Sequence, residues 1–218
     1  MTALGKLVVI EGIDGAGTTT QMERYAEHLR AQGKRVHTTR QPSRGPIGTF
    51  IRQALGGALS LGGELHAPLM ALLFAADRLE HLASEVEPRL ADGTIVLCDR
   101  YDLSSLAYQT ATAPSGLLAR VDFESWVRSQ NRFARRPDVT LVVDVTPEIA
   151  ERRRAARSGN PDIYEYAELQ RTLAALYRDA ERLCPGDVIV HVDGDPSLDE
   201  VTGRICTALD PLVLGAVT

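Results

Sequence analysis

With 218 residues, 44% hydrophobic and 24% charged, the chain has the balance of a globular enzyme and enough length to bury a sizeable core. A formal net charge of −5 argues against a dedicated nucleic-acid partner, and no apolar run approaches the ~18–20 residues that span a bilayer. Cys98, Cys184 and Cys206 show no CxxC spacing and the N-terminus has no signal-like segment, which together predict a reduced, cytoplasmic protein.

Along the chain, short runs rich in Val, Ile and Leu recur at residues 6–11, 35–39, 94–98, 139–145 and 188–192. Each is apolar through its length rather than alternating, as in strands buried on both faces. Helix-length segments separate them at about 18–32, 47–55, 65–90, 123–133, 147–157, 163–183 and 198–209. Pro68 falls in the first turn of the long third segment, where a missing N–H costs little. Strands alternating with helices imply parallel crossovers, and so a single α/β domain, residues 1–218, with a five-stranded parallel sheet flanked by helices in three layers. The stretch Ser158-Gly159-Asn160-Pro161 interrupts two helical patterns and reads as a mobile turn.

The first strand runs into GIDGAGTTTQ, with Gly12 and Gly17 framing Ile13, Asp14, Gly15 and Ala16, and Thr18, Thr19 and Thr20 opening a helix. Glycines at this spacing let backbone N–H groups curl around phosphate oxygens, the following helix N-terminus adds partial positive charge, and the Thr19 hydroxyl stands where Mg²⁺ is met. This is the frame of a P-loop NTPase fold with one departure: Thr18 occupies the position of the lysine that neutralises the β- and γ-phosphates. Losing one such contact costs about 10²–10³ in rate, whereas a catalytic arginine supplies about 10³–10⁵. Candidate replacements are Arg44 after the second strand and Arg152, Arg153, Arg154 and Arg157 before the interrupted turn.

Further blocks carry a family resemblance. Beside EGIDGAGTTTQ stand TRQPSRGPIGTFIRQAL (39–55), LLFAADRLEHL (72–82), CDRYDLSSLAYQ (98–109) and PDVTLVVDVTPEIAERRRAAR (137–157). In this order they resemble the bacterial thymidylate kinases over most of the chain. The resemblance implies phosphorylation of dTMP to dTDP, with ATP as donor and Mg²⁺ as cofactor, and a homodimer built on helices. It further implies that Asp14 accepts from the sugar 3′-hydroxyl, Phe74 stacks on thymine, Arg78 donates to its carbonyl edge and Ser105 meets the base edge. Tyr108 would crowd the 2′ position, Pro42 would wall the pocket, and Arg44 and Arg100 would hold the acceptor phosphate. Asp99 would hold a Mg²⁺ water, and Arg153 and Arg157, in a lid at about 152–166, would close over the donor phosphates.

Three positions depart from the family pattern: Thr18, Gln41 in place of the TREP glutamate, and Asp162-Ile163-Tyr164-Glu165 in place of DRFE, which lacks its arginine. Two positive charges and one negative charge are lost, so the burden shifts to Arg153 and Arg157. The same departures leave open a weak or inactive nucleotide-binding protein, or a kinase for another nucleoside monophosphate.

Overall fold

The five apolar runs form β1 (Leu7–Glu11), β2 (Val36–Arg40), β3 (Ile95–Asp99), β4 (Val139–Asp144) and β5 (Ile189–Asp193) in a computed structural model that describes residues 4–59, 61, 63–118, 122–156 and 167–215. All neighbours pair in parallel, in the order β2-β3-β1-β4-β5, so β1 is central and its C-terminal end lies between those of β3 and β4. Burial on both faces explains the unbroken apolar runs. Val8 and Ile10 pack into one core cluster, while Leu7 and Val9 pack into another with Leu82, Val86 and Leu90.

The expected helices form α1 (Thr18–Ala31), α2 (Pro46–Leu55), α3 (His66–His81), α4 (Glu87–Ala91), α7 (Phe123–Gln130), α8 (Pro147–Ala155), α9 (Ala167–Arg178), α10 (Ala180–Leu183) and α11 (Leu198–Leu214). The long segment expected over 65–90 is not one regular helix. A π-helical turn, Leu82–Val86, separates α3 from α4 beside Pro88, whose nitrogen has no hydrogen to donate to an upstream carbonyl.

Two helices were not expected: α5 (Asp102–Thr112) and the short α6 (Ser115–Leu118). No side chain near the start of α5 in sequence caps it. Its cap comes from β1: the buried Glu11 carboxylate accepts from Tyr101 N at 2.7 Å and Ser104 N at 3.2 Å. A carboxylate at a helix N-terminus satisfies otherwise unpaired N–H groups and opposes the positive end of the dipole. Of the lid expected at about 152–166, residues 152–156 complete and follow α8; Arg157, the turn at 158–161 and the Asp162–Glu165 motif lie outside the described residues.

Candidate active site

A cavity of about 860 Å³ opens along the C-terminal edge of β1 and β3. Residues 13–21 form its floor, Gln41, Pro42, Phe74 and Arg78 one end, and Arg153, Gly194, Pro196 and Leu198 the other. Ligands in open α/β sheets gather at this edge, where crossovers diverge to either side.

The loop's glycines are required by geometry. Gly15 and Gly17 have φ of 92° and 90°, in the left-handed region that side-chain-bearing residues avoid. A Cβ on Gly15 would also sit 2.4 Å from the Ala150 carbonyl oxygen, so α8 packs directly on the loop. Arg154, one turn beyond Ala150, donates to the Asp14 carbonyl, and Arg153 donates to Ala16 O at 3.3 Å and Gly194 O at 2.9 Å. Thr18 is 7% exposed. The chain's only lysines, Lys6 and Lys34, precede β1 and β2 and so sit at the opposite edge of the parallel sheet. The cationic side chains that α8 brings to the loop are those of Arg153 and Arg154.

Asp14 and Arg100 meet where the loops after β1 and β3 converge. Arg100 has φ 71°; a left-handed conformation costs a non-glycine residue about 1–2 kcal/mol. Its N–H donates to Ile10 O at 2.9 Å, and Glu11 holds the next N–H. The guanidinium donates to Asp14 Oδ1 at 2.5 Å, Gly12 O at 3.0 Å and the Tyr177 hydroxyl at 3.1 Å. The Tyr108 hydroxyl donates to Asp14 Oδ2 at 2.9 Å. Burial, with the Asp14 charge, pushes that phenol up against the opposing pull of Arg100, so it remains a donor.

At the Phe74 end, Arg78 is 1% exposed, lies over the Tyr101 ring at 5.0 Å and donates to Ser105 Oγ at 3.1 Å and to Asn131 Oδ1. Gln109, one turn after Ser105 and 1% exposed, also faces the cavity, and its Oε1 has no partner among the described residues. Near the loop, the Thr19 hydroxyl donates to Asp99 Oδ2, while Asp99 Oδ1 is buried without a partner among the described residues. A hydroxyl beside an unpaired carboxylate oxygen is a donor set suited to Mg²⁺, which takes hard oxygen ligands and keeps several waters.

Of the residues singled out from the sequence, Asp14, Pro42, Phe74, Arg78, Asp99, Arg100, Ser105, Tyr108, Arg153 and the loop from Ile13 to Thr20 all line this cavity. Gly12 lies buried behind it. Arg44 is exposed and does not line it, because the Ser43 beside it is turned inward, its N–H and Oγ held by Asp77 at 2.8 and 2.6 Å. Arg40 and Arg52 stand in the wall instead, Arg52 donating to Pro42 O at 3.0 Å. Both, with Gln109, were within blocks quoted for the family likeness, but nothing in their spacing marks them as cavity residues.

The thymidylate kinase family model matches residues 10–205, nearly the whole described chain. The chain belongs to the thymidylate kinase family. A probable thymidylate kinase of Pyrobaculum aerophilum is 41% identical over 170 residues, covering 78% of this chain and 80% of that protein. A second probable thymidylate kinase, from Pyrococcus horikoshii, is 36% identical and covers 97% and 98% of the two chains; a thymidylate kinase of Dinoroseobacter shibae is 36% identical over 96% and 98%.

Glu11 yields a test of how this site is held. Burial raises its carboxyl above the ordinary 4.5, and the Arg100 charge and the bonds from Ser104 and Tyr101 offset this only in part. A carboxyl raised in the folded state holds its proton longer there, so wild type loses stability as pH climbs from 4.5 through the raised value. Glu11→Gln keeps an acceptor for both N–H groups and lacks that titration. In urea unfolding the variant gains on wild type as the pH rises above 4.5; a flat or opposite difference contradicts this placement.

Proposed function

We propose that the chain transfers the terminal phosphoryl group of ATP to the 5′-phosphate of dTMP, with Mg²⁺. The observation that carries this reading is the continuous cavity joining the glycine loop to the Phe74 and Arg78 end, with Asp14 and Arg100 between them. The family's name and that of its relatives agree with it.

Thymine is a flat ring with two carbonyl acceptors flanking one N–H donor. Phe74 offers it a face, Arg78 and Ser105 donors, and Gln109 Oε1 an unpaired acceptor for the N–H. Tyr108 closes on the sugar and Asp14 accepts from its 3′-hydroxyl. Arg100 clamps the acceptor phosphate, and Arg52 and Arg40 add positive charge along the Pro42 wall. The loop from Gly12 to Thr20 cradles the donor phosphates. Thr19 and Asp99 would hold Mg²⁺, which when bound neutralises donor phosphate charge. Arg153, and Arg157 beyond the described residues, supply the cation that Thr18 does not. Such a reaction is catalysed mainly by positioning and charge.

A second copy of the chain is the partner we infer, in the cytoplasm, where the free Cys98, Cys184 and Cys206 stay reduced. Leu65, Leu72 and Leu79 recur every seven residues at or along α3 and are 63%, 46% and 38% exposed, beside the 40% exposed Phe50 of the adjoining α2. An apolar stripe of this kind fits a self-complementary helix face. Light scattering on Leu72→Glu tests it: wild type is a dimer and the variant a monomer, whereas a monomeric wild type excludes this interface.

A coupled ADP-release assay with dTMP, dUMP, UMP and thymidine tests the activity, with dTMP the best acceptor and thymidine inert. Arg78→Ala raises the KM for dTMP by about tenfold or more and leaves that for ATP nearly unchanged, since only the base is touched; Arg153→Ala instead lowers kcat at least about tenfold. Turnover of UMP as fast as dTMP, or equal loss for both ligands in Arg78→Ala, contradicts the assignment. Binding of dTMP without turnover would instead make the chain a nucleotide-binding protein, the reading that Thr18 favours.

A further inference from the structure

Gln170 is fully buried on α9, on the same apolar face as Leu173, Ala174 and Tyr177. A primary amide in such a setting is unfavourable unless both its ends are paired. Here both ends meet one residue: Nε2 donates to Asp14 Oδ2 at 3.2 Å, and Oε1 accepts from the Asp14 N–H at 3.2 Å. Only this amide orientation works, since flipping it would set oxygen against carboxylate and NH₂ against N–H.

The other groups on Asp14 act differently. Arg100 and Tyr108 hold only its carboxylate, and Arg154 only its carbonyl. Gln170 joins the carboxylate to the backbone N–H of the same residue and so fixes the side-chain torsion between them. It also occupies an N–H that would otherwise be free to turn toward phosphate, leaving the carboxylate as what Asp14 presents to the cavity.

We propose that Gln170 is the positioning residue for Asp14, and through it sets the preference for an acceptor bearing a 3′-hydroxyl. This rests on the reading above of Asp14 as the acceptor of that hydroxyl. Gln170 does not touch the nucleotide; it holds the group that does. An acceptor fixed to within a hydrogen bond's tolerance discriminates strongly against a ligand lacking the hydroxyl, and one free to turn toward solvent discriminates less.

The test is the ratio of kcat/KM for dTMP to that for 3′-deoxythymidine monophosphate. Wild type favours dTMP by about tenfold or more. Gln170→Leu, which suits the apolar face, lowers the ratio by at least about fivefold with little change in the KM for ATP. Gln170→Glu keeps the acceptor for the Asp14 N–H but sets a carboxylate against Oδ2. Its ratio is therefore low at neutral pH and recovers as pH falls and the new carboxyl takes up a proton. A wild-type ratio in Gln170→Leu, or, should that variant not fold, a pH-independent wild-type ratio in Gln170→Glu, overturns the inference. If wild type turns over both nucleotides equally, Asp14 does not read the hydroxyl and the inference falls while the kinase reading stands. If wild type turns over neither, the kinase reading itself has failed.

Discussion

Asp14 and Arg100 lie on loops that leave adjacent parallel strands, and their 2.5 Å contact joins the phosphate loop to the turn after β3. Both side chains are partly exposed, at 27% and 20%, so solvent screens the pair and its contribution to stability is modest. Its weight is geometric. Arg100 can reach back over the loop only because its backbone is left-handed, and that conformation is held at its own N–H by Ile10 and at the next by Glu11. The same Glu11 caps α5, which carries Ser105, Tyr108 and Gln109 into the cavity. One buried carboxylate at the end of the central strand therefore orients both the Arg100 guanidinium and the helix that carries Ser105, Tyr108 and Gln109 into the cavity.

The uncharged Thr18 gives the site a different charge distribution from that of a lysine-bearing loop. Both lysines lie at the far edge of the sheet, and α8 brings two guanidinium groups to the loop's own carbonyls. Close packing of Gly15 against Ala150 makes this possible, since any side chain there would push the helix away. An arginine anchored on backbone oxygens is less mobile than a lysine on a flexible stem and presents a planar fork suited to phosphate.

Features written locally were legible in the sequence. Strands buried on both faces show as unbroken apolar runs, and the spacing of Gly12 and Gly17 marks the loop, whose backbone is left-handed at Gly17 and also at Gly15. Features made by distant partners were not. The helix α5 went unseen because its cap lies 90 residues upstream. Gln170 reads as a polar residue in an amphipathic helix until Asp14, 156 residues away, is set beside it. Arg44, Arg40 and Arg52 are equivalent as sequence, and only the inward turn of Ser43 beneath Asp77 decides which of them face the cavity. Gln109 follows Tyr108 in a quoted block, yet its unpaired oxygen is visible only in three dimensions.

Most directly at stake is whether one cavity orients both nucleotides for in-line transfer. A crystal structure with dTMP and an unreactive ATP analogue decides it. The account predicts thymine against Phe74, the dTMP phosphate within about 3 Å of the Arg100 guanidinium, and an arginine of α8 beside the donor phosphates. A thymine ring bound outside the Phe74 pocket, or a monophosphate remote from Arg100, would contradict it.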